Sequence, residues 1–256
     1  GYDDAVLLEG RSAGHRRLAR HRQDDRRGLL RQGARVYITA RKAAACDETA
    51  KELSALGFGQ CVSLPVDVST TEGIEQLVAA YSAHEQSSIS SSTTPGRVGR
   101  QFDEFPEAGW DKVMDVNVKA PFFLTQKLKP LLLAGAGGGH LAKVINIASI
   151  DGQSLNPMET YSYHASKAGL IHLTKRMAVK LAPEGIVVSA IAPGAFASNM
   201  NKEARDHGDL IAGHIPSRRV GEPEGHGGGR DLPGLRAGDY VVGSTITVDG
   251  RVNIAR

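Results

Sequence analysis

The chain has 256 residues, with 31 Lys+Arg against 28 Asp+Glu, a formal net charge of +3, and 41% hydrophobic and 23% charged residues; this balance excludes wholesale disorder and suits one large domain or two small ones. No apolar run approaches the ~20 residues of a membrane-spanning helix, and Cys46 and Cys61 are too few for a disulfide framework or a four-thiolate zinc site. The opening residues Gly1 to Asp4 lack the basic and apolar blocks of a secretory leader, so the cytoplasm is the expected compartment.

In chain order, Arg11 to Arg27 comes first, with seven arginines, two histidines and almost nothing apolar. Such a run reads as a solvated basic arm or, functionally, as a phosphate-binding one. Ala34 to Ala40 is rich in β-branched and aromatic residues and predicts a strand. Lys42 to Leu56 predicts a helix, with Ala45, Ala50, Leu53 and Leu56 able to share a face. Cys61 to Val66 predicts a strand and Thr71 to Ala83 a helix. Ser87 to Thr94 has the composition of a linker. Trp110 to Leu133 predicts one long helical stretch, bent near Pro121. Lys143 to Ala148 predicts a buried strand, Tyr163 to Leu181 a helix, Ile186 to Ile191 a strand and Ser244 to Val248 a last strand, with a flexible loop at Gly225 to Gly229. Strands separated by helices predict an α/β fold, a doubly wound parallel sheet flanked by helices on both faces. No internal repeat or interdomain linker divides it, so residues 1–256 are expected to form a single domain.

Ser149, Tyr163 and Lys167 carry the chemistry. Tyr163 and Lys167 are four apart and fall on one helix face. An ammonium near a phenol favours the phenolate and lowers its pKa towards working pH, so Tyr163 could exchange a proton with a carbinol oxygen. Ser149 closes a strand, where its hydroxyl could bond the same oxygen. Tyr161 is a poor rival, because Ala165 lies four residues on. Taken singly, other positions have plain readings: Asn117 as a polar helix residue, Asp67 as a helix cap, Pro193-Gly194 as a turn, and Arg41 and Lys42 as solvated helix-start residues.

Their order changes the reading. Asp67 in Pro-Val-Asp-Val, Asn117 in Met-Asp-Val-Asn-Val, Asn146-Ile-Ala-Ser149, Tyr163-x-x-x-Lys167, Ala192-Pro-Gly194 with Ser198 and Met200, and Thr247-Val-Asp-Gly250 follow one another from about Gly33 onward. This series resembles the short-chain dehydrogenase/reductase family. The resemblance implies a Rossmann-type domain in which Ser149 positions a carbonyl, Tyr163 is the general acid in reduction, and Lys167 lowers the tyrosine pKa and holds the nicotinamide ribose. It implies that Asn117 supports a proton-relay water through a distortion in its helix. It places Asp67, with Val68 beside it, at the adenine, and Pro193, Gly194 and Ser198 at the nicotinamide end, Ser198 standing where the family usually has threonine. Folds of this kind usually carry Asp or Glu at the end of the second strand for the ribose diol; Arg41 and Lys42 stand there instead. Two cations suit a 2′-phosphate, so NADPH is the expected cofactor. No metal is required, and the histidines show no ligand spacing. The expected quaternary state is a homo-oligomer, dimer or tetramer, built through helices of the second half.

The expected reaction is reduction of a carbonyl to an alcohol. The Ala192 to Met200 stretch, with fourteen positions from Ser149 to Tyr163, resembles 3-oxoacyl reductases of the rhamnolipid-pathway type. That implies a β-ketoacyl thioester on acyl carrier protein or coenzyme A, with Lys202, Arg205, Arg218 and Arg219 meeting an acidic carrier, or merely solvated, and Phe196, Met200 and Leu210 lining an acyl site or a lid. The alternatives are a dehydrogenase of a sugar, polyol or other secondary alcohol, and a nucleotide-binding protein with little catalysis, against which the intact Ser149, Tyr163 and Lys167 speak. Neither nucleic acid nor membrane is an expected partner.

Two family motifs are missing: a Gly-rich turn that sets pyrophosphate over a helix N-terminus, and an Asn-Asn-Ala-Gly segment near Ser90 to Gly96. Codons permitted for residues 15–28, read with one base dropped, give Ile-Val-Gly-Ser-Arg-Gly-Ile-Gly-Lys-Met-Ile-Ala-Glu, a strand end, a Gly-rich turn and a helix. Residues 88–96, read in a shifted frame, give Asp-Leu-Val-Val-Asn-Asn-Ala-Gly. Residues 225–236 give Asp-Met-Ala-Ala-Ala-Glu-Ile-Tyr-Leu-Ala-Ser, a helix. The reading is therefore that these three stretches are frame-shifted translations. Taken literally, the arginines of 15–28 cannot let backbone approach pyrophosphate as glycine does, and poor folding and weak cofactor binding follow. Sequencing the coding DNA is expected to show bases that permit all three shifted readings; bases that forbid them leave a basic arm, whose mark would be strongly salt-dependent DNA binding.

Overall fold

The computed structural model describes residues 5–10, 30, 34–57, 59–84, 99–136, 141–194, 215–219 and 238–252, the first of these by its backbone. Residues 15–28, 88–96 and 225–236 lie outside the described residues, as do Ser198, Lys202 and Arg205.

Strands and helices alternate as the periodicity requires. After β1 (Ala5–Gly10) come β2 (Ala34–Thr39), α1 (Ala43–Ser54), β3 (Cys61–Ser63) and α2 (Thr71–His84). Then follow α3 (Glu107–Met114), a π-helical turn (Asp115–Lys119), α4 (Ala120–Gly135), β4 (Ala142–Ile147), α5 (Tyr161–Leu181), β5 (Ile186–Pro193) and β6 (Thr245–Val248). One sheet has the order β1-β2-β3 and the other β4-β5-β6. β2 and β3 are parallel, with Val36 opposite Cys61. β4, β5 and β6 are all parallel, with Ala142 opposite Ile186 and Ala190 opposite Thr245.

Some element ends shift, β3 stopping at Ser63 rather than Val66 and α5 starting at Tyr161 rather than Tyr163, and two larger features depart from the sequence reading. Ala5–Gly10 forms an antiparallel strand on β2, Ala5 facing Thr39 and Gly10 facing Ala34, where no strand is expected. Its apolar run is short, and what it needs is a neighbour's free backbone groups rather than a periodicity of its own. The long helical stretch begins at Glu107 and is interrupted at Asp115–Lys119, around Asn117 where the resemblance implies a distortion, and not at the expected bend near Pro121. Pro121 sits in the first turn of α4, where a missing N–H costs nothing.

The core explains why the strands lie between helices. Successive β2 side chains point to opposite faces. Tyr37 enters one cluster with Ile74, Leu77 and Tyr81 of α2, Leu124 and Leu128 of α4, Val144 of β4 and Val188 of β5, so a single apolar body joins both sheets. Tyr37 and Tyr81 meet edge to face with centroids 5.0 Å apart. Val36 and Ile38 enter another cluster with Leu30, Cys46, Ala50 and Leu53. Burial on both faces accounts for the near-continuous apolar runs of β4 and β5.

The β3–α2 loop is set by a close approach. Thr70 Oγ1 accepts from Gly73 N at 3.0 Å, capping α2. A Cβ at Gly73 would lie 1.9 Å from the Asp67 carbonyl oxygen. Asp67 Oδ1 accepts from Ser69 N at 2.9 Å and from Ser69 Oγ at 2.6 Å. Lys112 of α3 reaches over to both Asp67 oxygens, at 3.3 and 3.2 Å, and also donates to Ser69 Oγ. Partial burial pushes the Asp67 carboxyl up; the Ser69 bonds and the Lys112 ammonium outweigh it and hold the pKa below the ordinary 3.8.

Gly73→Ala is expected to lower stability by about 1–3 kcal/mol, the usual scale of overpacking, read as a fall in Tm. The depressed carboxyl contributes stability that is complete above about pH 4 and is lost as pH falls through its lowered pKa. The Asp67 side chain is 38% exposed, so solvent screening limits this contribution to under about 1 kcal/mol. Asp67→Asn is expected to flatten the acid limb of Tm against pH by that amount and to leave neutral-pH folding intact.

Candidate active site

The site gathers at the end of β4. Ala148 N donates to Ile191 O at 2.7 Å, carrying the sheet pairing one residue past the strand. Ser149 is still extended, with φ −164° and ψ 158°, and then the chain turns through a 3₁₀ turn at Ile150–Gly152. Asp151 N donates to Ser149 Oγ at 3.1 Å, so the hydroxyl caps its own turn and is held in place. The residue is buried.

α5 brings the other two groups. Tyr163 and Lys167 lie one turn apart on its inward face, Tyr163 8% exposed and Lys167 wholly buried. The Lys167 ammonium donates to Ile147 O at 2.6 Å, fastening the helix to the end of the strand that carries Ser149. The same Nζ stands 5.7 Å from the centroid of the Tyr163 ring. The ammonium thus lies over the face of the ring in a cation–π contact.

Tyr161 has the opposite surroundings. Its hydroxyl donates to Glu159 Oε1 at 2.7 Å. That hydrogen bond, with the repulsion of the carboxylate, raises the phenol above its ordinary value of 10.0. Two tyrosines in one helical turn are thus distinguished by charge: a carboxylate keeps the proton on Tyr161, whereas an ammonium faces Tyr163.

Asn117 lies in the π-helical turn and is wholly buried. Its Nδ2 donates to Ser166 Oγ at 2.9 Å, and Ser166 Oγ donates to Tyr163 O at 2.9 Å. The helix distortion is therefore hooked to the helix carrying Tyr163. Ser166 was not singled out from sequence, although its place between Tyr163 and Lys167 on a buried helix was a signal for it.

The remaining expected residues lie at the carboxyl ends of other strands, the side on which open α/β sheets take ligands. Arg41 and Lys42 follow β2 and are exposed. Buried Thr39 ties this end of β2 to the next loop: its Oγ1 donates to Val66 O at 3.3 Å and accepts from Val66 N at 3.1 Å. That loop carries Asp67, whose carboxylate is engaged by Ser69 and Lys112, and buried Val68. Lys112 was not foreseen, since it arrives from a helix more than forty positions on. Pro193 closes β5, and Gly194 N donates to Val248 O at 2.9 Å. A Cβ at Gly194 would fall 2.7 Å from Asp249 Cβ, so β5 and the segment after β6 meet closely there. Among the described residues no group of three or more His, Cys, Asp or Glu could hold a metal ion. None of the described helices is long and apolar enough to cross a membrane.

Comparison with known proteins agrees with this geometry. The family model for short chain dehydrogenases matches residues 26–209. The rhamnolipids biosynthesis 3-oxoacyl-[acyl-carrier-protein] reductase of Pseudomonas aeruginosa is 39% identical over 229 residues, covering 87% of this chain and 88% of that protein. The 2-dehydro-3-deoxy-D-gluconate 5-dehydrogenase of Escherichia coli is 34% identical over 208 residues, covering 79% and 80%. Among solved structures, the Pseudomonas aeruginosa RhlG/NADP active-site complex superposes with a TM-score of 0.84 at 35% identity, covering 90% of this chain and 91% of that one. With these matches added to the serine, tyrosine and lysine gathered at the end of β4, the chain belongs to the short-chain dehydrogenase/reductase family and is an oxidoreductase.

Proposed function

We propose that the protein is an NADPH-dependent reductase of a 3-oxoacyl thioester carried on acyl carrier protein or coenzyme A. The observation that carries the reaction type is the buried Lys167 ammonium 5.7 Å from the Tyr163 ring, fastened to the strand end that leads into Ser149. The residues present fit a dinucleotide phosphate. Arg41 and Lys42 present two exposed cations and no carboxylate at the end of β2, and the close approach at Gly194 leaves backbone rather than side chain at the end of β5. The Pseudomonas aeruginosa relative, named for a 3-oxoacyl-[acyl-carrier-protein] substrate, supports the substrate class. Exposed Arg218 and Arg219 supply positive charge for an acidic carrier. The reading includes a homo-oligomer built partly through α5, whose outer face exposes Val179.

When bound, the reduced nicotinamide supplies the hydride that reaches the carbonyl carbon. The protein's own groups manage the oxygen. Ser149 hydrogen-bonds the carbonyl oxygen and fixes its direction. Tyr163 donates its phenolic proton to that oxygen as negative charge develops there. Lys167 stabilises the phenolate left behind. Asn117, through Ser166, holds the backbone of Tyr163 so that the phenol keeps its aim.

A second reading has its own support in the gluconate-type and galactitol dehydrogenases among the relatives: oxidation of a sugar or polyol by the same catalytic set. Protein expressed from its own coding DNA, assayed by loss of reduced-nicotinamide absorbance, is expected to reduce 3-oxoacyl thioesters with far higher kcat/KM than keto-sugars; the reverse order would establish the second reading. Tyr163→Phe is expected to lower kcat by about 10²–10⁴-fold while a fluorescence titration shows NADPH binding retained. Undiminished activity in that variant would remove the acid role.

A further inference from the structure

We propose that Gly152 is a positioning residue for Ser149: by carrying no side chain it lets the turn after β4 rest directly on the α5 backbone, and so sets how far the serine hydroxyl stands from Tyr163 and Lys167. The proposal rests on the catalytic reading above. A Cβ at position 152 would lie 2.6 Å from the carbonyl carbon of Lys167 and 2.8 Å from both Lys167 O and Ala168 N. Side chains do not approach backbone so closely, and a helix backbone cannot swing aside as a side chain can. Gly152 does not have a positive φ, unlike Gly57, Gly185, Gly243 and Gly250. Space, not backbone conformation, is therefore what requires glycine here.

The consequence for Ser149 follows from where its segment is held. Ile147 O receives the Lys167 ammonium at 2.6 Å, and five positions later Gly152 touches the backbone of the same lysine. The chain between is pinned to Lys167 at both ends, by a charge-assisted hydrogen bond and by a steric contact, with Ser149 in the span. The span is stiff. Asp151 N donates to Ser149 Oγ at 3.1 Å, Gly152 N to Ser149 O at 3.0 Å and Gln153 N to Ile150 O at 2.8 Å. A displacement at 152 is carried back to 149 instead of being absorbed. The far side of the turn is held as well: Thr247 Oγ1 of β6 donates to Gln153 Oε1 at 3.0 Å, and Ile150 packs with Ile215 and Val252. An added methyl must lift the turn from α5 by roughly 0.5–1 Å, a misplacement on the scale that costs catalysis about 10²-fold.

The test is a double-mutant cycle on the full-length enzyme, with kcat, KM and NADPH affinity measured for S149A, G152A and the pair. S149A is expected to lower kcat about 10²-fold. G152A is expected to lower kcat to a similar degree, with NADPH affinity within about twofold, and the double variant to be no worse than S149A alone, because a misplaced hydroxyl cannot be lost twice. A G152A enzyme with unchanged kcat, or a double variant showing the product of the two losses, overturns the role of Gly152 while leaving that of Ser149. A harmless S149A overturns both. Should G152A fail to fold by near-ultraviolet circular dichroism, Thr247→Val loosens the same turn without filling space. It is expected to lower kcat by about threefold to tenfold in the unchanged enzyme and not at all in the S149A background; an equal loss in both backgrounds overturns the proposal.

Discussion

A lysine ammonium buried without any exposure is the constraint on which the rest depends. Removing an ammonium from water costs several kcal/mol unless its donors are satisfied. Lys167 meets part of that requirement by donating to the backbone carbonyl of Ile147, on a strand whose residues are all buried. The bond therefore fixes where α5 crosses the end of β4. It also leaves a positive charge beside the Tyr163 ring, in surroundings of low dielectric where a charge acts strongly. One interaction thus answers a folding requirement and, in the proposed reaction, sets the charge beside the group that would transfer the proton.

The second tie runs to the π-helical turn. An extra residue in a helical turn widens it and leaves the regular hydrogen-bond ladder disturbed, and such turns occur often at functional sites. Here Asn117, wholly buried, reaches Ser166, and Ser166 reaches the backbone of Tyr163. The distortion is held by a side chain of α5, the helix that carries Tyr163. The same helical unit, through Lys112 on α3, engages Asp67 at the end of β3. The region expected to meet adenine and the region expected to meet substrate are thereby linked through one continuous run of helix, α3 to α4.

The Asp67 carboxylate has a structural role of its own. Its Oδ1 is engaged by Ser69 and by Lys112, and its Oδ2 also faces that ammonium. These bonds orient the loop and keep the carboxyl ionised over the working range of pH. Read singly as a helix cap, Asp67 does not serve as one: Thr70 caps α2, and the Asp67 carboxylate instead turns back onto Ser69 while its carbonyl receives Thr70 N and Thr70 Oγ1.

Local pattern was enough to read much of this protein. Alternating strand and helix, the buried runs of β4 and β5, and the pairing of Tyr163 with Lys167 all follow from the periods of two and 3.6 that backbone geometry imposes on side chains. The basic residues after β2 were equally legible, because a strand end is a position in sequence as well as in space. What sequence could not state is any relation between distant segments: that Ile147 receives the ammonium, that Ser166 holds Asn117, that Lys112 reaches Asp67, that Gly152 must be bare because α5 passes over it, or that Ala5–Gly10 runs antiparallel beside β2. Those contacts join residues up to 49 positions apart, and only packing both sheets against shared helices decides which of the many possible pairs come within a hydrogen bond of each other.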